Sequence, residues 1–253
     1  SLSQFHYSIA QMDKDYQAAV DSGNVEEQQK LVDQAAEQAM PDSKVRDKNG
    51  KLLKMYHGTK ADFNVFDTSV SGGVNGTAEG FGIYMADSQE VTEKYGDKQI
   101  ASYVDMKRPA HDDRTTIKKN ELIKLIRKTC VNQAENMLDD GYADNMKDAL
   151  QDTWISNYVY TPGFRSIDEA YAEVASSILR MNDNDMGIVQ EVMAGMAIRD
   201  YEDAMDFYHN MLTPTIGVDG YWTVWHNNET GKAYNVLLAF DSSQIKKADP
   251  ITY

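Results

Sequence analysis

Cysteine is nearly absent from this chain. Cys130 stands alone among 253 residues, so no internal disulfide can form, and that usage fits a reducing compartment. Inside its helical pattern Cys130 reads as a small buried hydrophobe. No run of eighteen apolar residues occurs, and no basic segment leads into a shorter apolar one, so nothing signals a membrane span or a secretory leader. A cytoplasmic protein is the expectation. The chain opens on Ser1 rather than Met, which suggests a piece of a longer polypeptide with further domains.

Positive charge is also scarce, at 25 Lys and Arg against 40 Asp and Glu, a net charge of −15. A field of that sign repels phosphate backbones, so nucleic acid is disfavoured as a partner. The basic residues are scattered; only Ile117-Lys118-Lys119 through Arg127-Lys128 resembles a cluster, and it reads as the solvated face of a helix. His6, His111, His209 and His226 lack ligand spacing, so no metal site is proposed. Gly72-Gly73 and Gly76 are not followed by Gly-Lys-Ser/Thr, which leaves a loop rather than a phosphate cradle.

What is present is enough apolar content, 42%, for a full core, in one domain carrying insertions. Tyr16, Ala19 and Val20 recur at helical spacing up to Gly23. Asn24 with Glu27 then starts a second helix through Leu31, Val32, Ala35 and Ala39, which Pro41 stops. Lys48-Asn49-Gly50 is a turn signal before a strand from Leu52 to Tyr56 that delivers His57. A polar loop follows from Ala61 to Glu79, anchored by Phe63, Val65 and Phe66. Ile83 to Ala86 reads as a strand, Ser88 to Gly96 as a short helix, and Ile100 to Met106 as a third strand ended by Pro109 and His111-Asp112-Asp113. From 113 to 213 the pattern is almost continuous helix, with starts at Ser166, Asp185 and Asp200. Its methionines, at 181, 186, 193, 196, 205 and 211, suit core filling better than an adaptable binding surface. Strands return from Tyr221 to Trp225 and from Tyr234 to Phe240, about a turn at Asn227 to Gly231.

Two stretches carry chemistry. Met55-Tyr56-His57-Gly58-Thr59 and Gly80-Phe81-Gly82-Ile83-Tyr84-Met85-Ala86-Asp87 each set a ring with a polar handle beside a glycine, where a flat ligand could approach the backbone. With Thr92 and Tyr95 behind them, they resemble the NAD-binding core of the PARP-like (diphtheria-toxin-type, H-Y-E class) ADP-ribosyltransferases. The run Ala233-Tyr234-Asn235-Val236 through Asp241-Ser242-Ser243-Gln244-Ile245 resembles that family's third motif, with Val236 where the family has its catalytic glutamate. Such modules resemble those embedded in the polyvalent proteins of phages and mobile elements.

The resemblance implies NAD as co-substrate and no metal. It gives His57 the ribose hydroxyls, Gly58 the nicotinamide amide through its backbone, and Thr59 a place near the ribose. Tyr84 and Tyr95 would sandwich the ring beside Gly82, and Thr92 would offer a hydroxyl to the amide. His57, Tyr84 and Val236 occupy the three catalytic positions. The implied fold is α+β: a split antiparallel β-sheet core over 45–112 and 214–253, an N-terminal helical hairpin over 1–44 and a helical insertion over 113–213.

Val236 leaves two readings open. In one the chain is a mono-ADP-ribosyltransferase of a protein acceptor, using a carboxylate that the acceptor brings. In the other it is a catalytically inactive NAD-binding or protein-interaction module, with the helical block as a further candidate for partner binding. A slip of register on the hairpin would offer Asn235 or Glu229 instead.

Overall fold

The computed structural model describes residues 2–60, 80–158 and 166–250. The loop expected over Ala61 to Glu79, with its anchors and its glycines, lies outside the described residues. Among the described residues no helix is long and apolar enough to cross a membrane.

Helices α1 (Leu2–Asp21) and α2 (Val25–Ala39) form the hairpin. Gly23 turns between them at a φ of 65°, a left-handed value that side chains resist, and Asn24 accepts the Glu27 N–H at 3.1 Å as the cap of α2. The hairpin is tied into the core. Ala36 and Met40 bury against Leu52, Ala101, Tyr103 and Ala248. The Tyr103 hydroxyl donates to Asp33 at 2.7 Å, and the Gln29 amide donates to the Ala248 carbonyl at 2.7 Å.

Seven strands make one sheet: β1 (Met55–Thr59), β2 (Ile83–Ala86), β3 (Lys98–Val104), β4 (Pro109–His111), β5 (Gly220–His226), β6 (Ala233–Ala239) and β7 (Ile245–Lys247), in the order β4-β5-β6-β2-β1-β3-β7. All neighbours run antiparallel except β4 and β5. Pairing is dense on both sides and thin in the middle. β2 matches β6 over four residue pairs and β1 matches β3 over five, whereas β1 and β2 share only Tyr56↔Ala86.

Local sequence misplaced two strands. Leu52 turns back to Arg46 in an isolated bridge, so β1 begins at Met55 and contains His57 instead of ending before it. Pro109 to His111, expected as a terminator, is a strand. It pairs in parallel with residues more than a hundred positions later, a partner that no local pattern reveals, and proline is tolerated at its first position.

The segment between β4 and β5 folds as α4 (Lys119–Asp139), α5 (Met146–Gln151), α6 (Ile167–Met181), α7 (Asp185–Gly195), α8 (Tyr201–Asp206), a π-helical turn over Phe207–Leu212, and α9 (Thr213–Ile216). One cluster joins these helices to Tyr221, Leu238 and Phe240 of the sheet region. Tyr208 stacks on Phe240 with centroids 3.8 Å apart and planes 6° from parallel, and Tyr221 meets both edge-on. Of the six methionines, five pack in or against this core and Met181 is exposed.

The expected cap of α7 needs correction. Asn184 is the cap, accepting from Gly187 N–H at 2.7 Å, and Asp185 points into the protein. Fully buried, it accepts from Thr116 N–H, Thr116 hydroxyl and Ile117 N–H at 2.7, 2.7 and 2.9 Å. Asp185→Ala orphans two backbone donors, so a loss of about 3 kcal/mol is expected. A melting temperature lowered by roughly 6–12 °C would show it; an unchanged value would contradict the role.

Candidate active site

The site is built where β1 and β2 part. Beyond Tyr56↔Ala86 the ladder stops, and His57 fills the gap with its side chain: Nδ1 lies 2.7 Å from the Tyr84 carbonyl oxygen. A carbonyl only accepts, so Nδ1 carries the proton, and in the neutral ring Nε2 is an acceptor. Burial pushes the His57 pKa below its ordinary value, and the Tyr84 carbonyl opposes this more weakly. The imidazole is therefore neutral at pH 7.

Alternation along the strands sorts the other residues. Tyr84 pairs with Leu238 and Ala86 with Val236, which puts Tyr84, Ala86 and Val236 on one face. Helix α3 (Gln89–Thr92) and the 3₁₀ turn Glu93–Tyr95 cover that face. They bring the Tyr95 ring to 5.7 Å from Tyr84, inclined at 67°. The two tyrosines thus meet edge to face, and a ring stacked between them requires one of them to turn.

The glycines allow close approach within the protein itself. A Cβ on Gly58 would lie 2.1 Å from the Thr92 carbonyl oxygen, so its bare backbone is what lets α3 seat on β1. Gly82 has a φ of 146°, and its Cβ would lie 2.5 Å from the Ala239 carbonyl oxygen. Gly96, which the motif reading passed over, sits against Thr59: its Cβ would lie 2.1 Å from the Thr59 carbonyl carbon. Thr92 is turned inward and buried, its hydroxyl against the Gln89 carbonyl at 3.2 Å and hydrogen-bonded to the Gln99 amide oxygen. It braces α3 against β3, while His57, Tyr84 and Tyr95 stay only partly buried.

The third motif is mostly a set of fasteners. Asp87 accepts from the Asn235 backbone N–H at 3.1 Å and from its side-chain amide at 2.8 Å, while Asp87 N–H donates to the Asn235 carbonyl at 3.0 Å. Trp222 Nε1 donates to the Asn235 amide oxygen at 2.9 Å. Gln244 accepts from the Phe240 and Asp241 N–H groups and donates to the Asp105 and Asp219 carbonyls, closing β6 onto the ends of β3 and β5. Asn235 consequently faces away from Tyr84, and Glu229 lies in the exposed turn. The register sets Val236 opposite Ala86, packed with Ala86, Val91, Tyr234 and the partly buried Tyr84.

A scan against protein families matches residues 47–251 to the ADP-ribosyltransferase domain of polyvalent proteins. The chain belongs to that family. The match begins after the hairpin and runs through the helical segment to the end of the sheet. No curated protein and no solved structure gave a match.

In this ADP-ribosyltransferase domain the motif residues cluster at a strand junction. Two open cavities, of about 440 and 550 Å³, lie elsewhere: one beside His209, Asp219 and Asp241, the other beside Lys44, His111, Arg114 and Trp222. Among the described residues no group of three His, Cys, Asp or Glu could hold a metal ion. Lys94 and Trp225 lie beyond Tyr95, Glu90 bonds Tyr234, and sequence reasoning singled out none of the three. The signal available for Trp225 was a large apolar residue at the end of a strand, beside a polar turn.

Two predictions follow from this geometry. The depressed His57 pKa contributes stability that is present above the unfolded value near 6.5 and is lost as pH falls toward the folded value. His111, lowered by burial and by Arg114, acts in the same sense, so His57→Asn should flatten, not abolish, the fall in melting temperature between pH 7 and pH 5. An identical fall in both proteins would contradict the assignment. Val236→Glu forces a carboxylate into an apolar cluster that leaves position 236 only 2% exposed. A loss of about 3 kcal/mol is expected on denaturant unfolding, and a variant as stable as the parent would show that the cluster opens to water.

Proposed function

We propose that the chain transfers a single ADP-ribose from NAD to a carboxylate on a protein acceptor, inside the cell and as one part of a larger polypeptide. The observation that carries this reading is the junction itself: a neutral His57 of fixed tautomer, with the rings of Tyr84 and Tyr95 beside it where the ladder between β1 and β2 stops. The single-rung join between the two halves of the sheet supports a split-sheet core over 45–112 and 214–253. The 1–44 hairpin and the 113–213 helices are then additions packed on that core.

In the proposed reaction an acceptor carboxylate oxygen bonds to ribose C1′ as the bond from C1′ to the nicotinamide nitrogen breaks. The electron pair of that bond stays on nitrogen, so the cationic pyridinium leaves as neutral nicotinamide and no proton has to move. His57 Nε2, an acceptor in this tautomer, suits a ribose hydroxyl, and the faces of Tyr84 and Tyr95 suit a cationic ring. A hydroxyl or amine acceptor would need a base. The isopropyl group of Val236 cannot act as one, which is why the acceptor is given the carboxylate. The charge of −15 argues against nucleic acid in that role.

A second reading, an NAD-binding or protein-interaction module without turnover, is favoured by Val236 and by the structural use of Asp87, Asn235 and Gln244. Those three motif residues hold the sheet whether or not chemistry occurs. Incubation with labelled NAD and an acidic protein acceptor separates the two. Transfer and nicotinamide release that fall by about 100-fold or more in His57→Ala and Tyr84→Ala are expected. Absence of both in the parent, with NAD still raising its melting temperature, would establish the second reading.

A further inference from the structure

Lys94 occupies an unusual position in so acidic a chain. Carboxylates outnumber basic side chains by 40 to 25, yet the Lys94 ammonium makes no ion pair among the described residues. It lies instead between two rings, 4.9 Å from the Tyr95 centroid and 5.4 Å from that of Trp225. Both distances are within cation–π range, so the two rings favour this position of the ammonium on an exposed surface. Trp225 is 47% exposed and sits 6.1 Å from Tyr234 on the hairpin. Tyr84, Tyr95, Lys94, Trp225 and Tyr234 therefore form a continuous strip that leads from the strand junction outward.

The acidic groups along this strip differ in their engagement. Glu90 accepts from the Tyr234 hydroxyl at 2.8 Å and pairs with Lys232 at 3.7 Å, so its charge is already answered. Glu93, next to Lys94 in the chain, forms no ion pair with it. Among the described residues the cation beside Tyr95 is met by rings alone, which leaves room for a carboxylate from outside.

We infer that Lys94, clamped between Tyr95 and Trp225, is the docking point for an acidic segment of the protein acceptor. This rests on the proposed transfer reaction and deepens it. The domain's overall negative field repels an acidic partner at long range, so the local cation decides which carboxylate comes to rest beside the junction. Trp225 contributes the apolar floor against which the acceptor's stem lies, and it fixes the ammonium by its ring face. The acceptor carboxylate then stands next to Tyr95, where Val236 provides none.

The test is a binding titration that needs no turnover. A fluorescein-labelled peptide with a run of glutamates, and the same peptide with glutamines, are titrated by anisotropy against the full chain at low ionic strength, with and without NAD. The glutamate peptide is expected to bind at least about fivefold more tightly than the glutamine peptide. That preference should vanish in Lys94→Glu, fall in Trp225→Ala and survive in Lys94→Arg. Equal binding of the two peptides to the parent protein would overturn the inference, as would a preference that Lys94→Glu leaves intact. Weakened NAD binding in Lys94→Glu, with the peptides bound alike, would overturn it too and give the ammonium to the dinucleotide's diphosphate. Nicotinamide release, followed in the same preparation, reports separately on the transfer reaction, so its failure is not confused with failure of docking.

Discussion

The break between β1 and β2 is the constraint on which the rest of the structure depends. Antiparallel strands in register satisfy one another's backbone groups; here a single pair, Tyr56↔Ala86, joins two well-paired halves. On that side the Tyr84 carbonyl accepts from a side chain, His57 Nδ1. One hydrogen bond thus closes the gap and fixes a tautomer, while burial favours the neutral ring. Everything above the gap is arranged to keep it in place. Gly58 lets α3 descend onto β1, Thr92 braces α3 through Gln99, and Asp87 with Asn235 locks the end of β2 to β6.

The family motifs consequently divide into two physical kinds. Asp87, Asn235, Asp241 and Gln244 hydrogen-bond strands and turns to one another, and their worth is structural. His57, Tyr84 and Tyr95 are held by that framework without being consumed by it. Val236 belongs to neither kind. It lies in the apolar cluster of Ala86, Val91 and Tyr234, against which the partly buried Tyr84 packs.

Sequence made the hairpin, the helical block and the β2 and β5–β6 strands legible because each carries a local signature: caps at Asn24, Ser166 and Asp200, periodic apolar stripes, and a turn between alternating runs. What it hid depended on distant partners. β4 exists only through a parallel neighbour at Gly220 to Trp222. The inward turn of Asp185 depends on Thr116, and the bounds of β1 depend on β3. At the site, residue types and spacing pointed to His57, Tyr84 and Tyr95, which the fold brings together. Gly58, Gly82 and Thr92, named by the same reading, also pack closely against protein atoms, a second use of these positions that spacing does not reveal. Lys94 and Trp225 were invisible because their meaning lies in a three-body contact between a helix end and a hairpin.

The most direct test of the account is an NAD titration followed through the backbone amide resonances of the isotope-labelled protein. If the strand junction is the dinucleotide's seat, shifts will concentrate at Tyr56 to Thr59, Gly82 to Ala86 and Glu93 to Gly96, leaving the cavity beside Lys44, His111 and Arg114 unmoved. Shifts centred on that cavity, or none at saturating NAD, would contradict it.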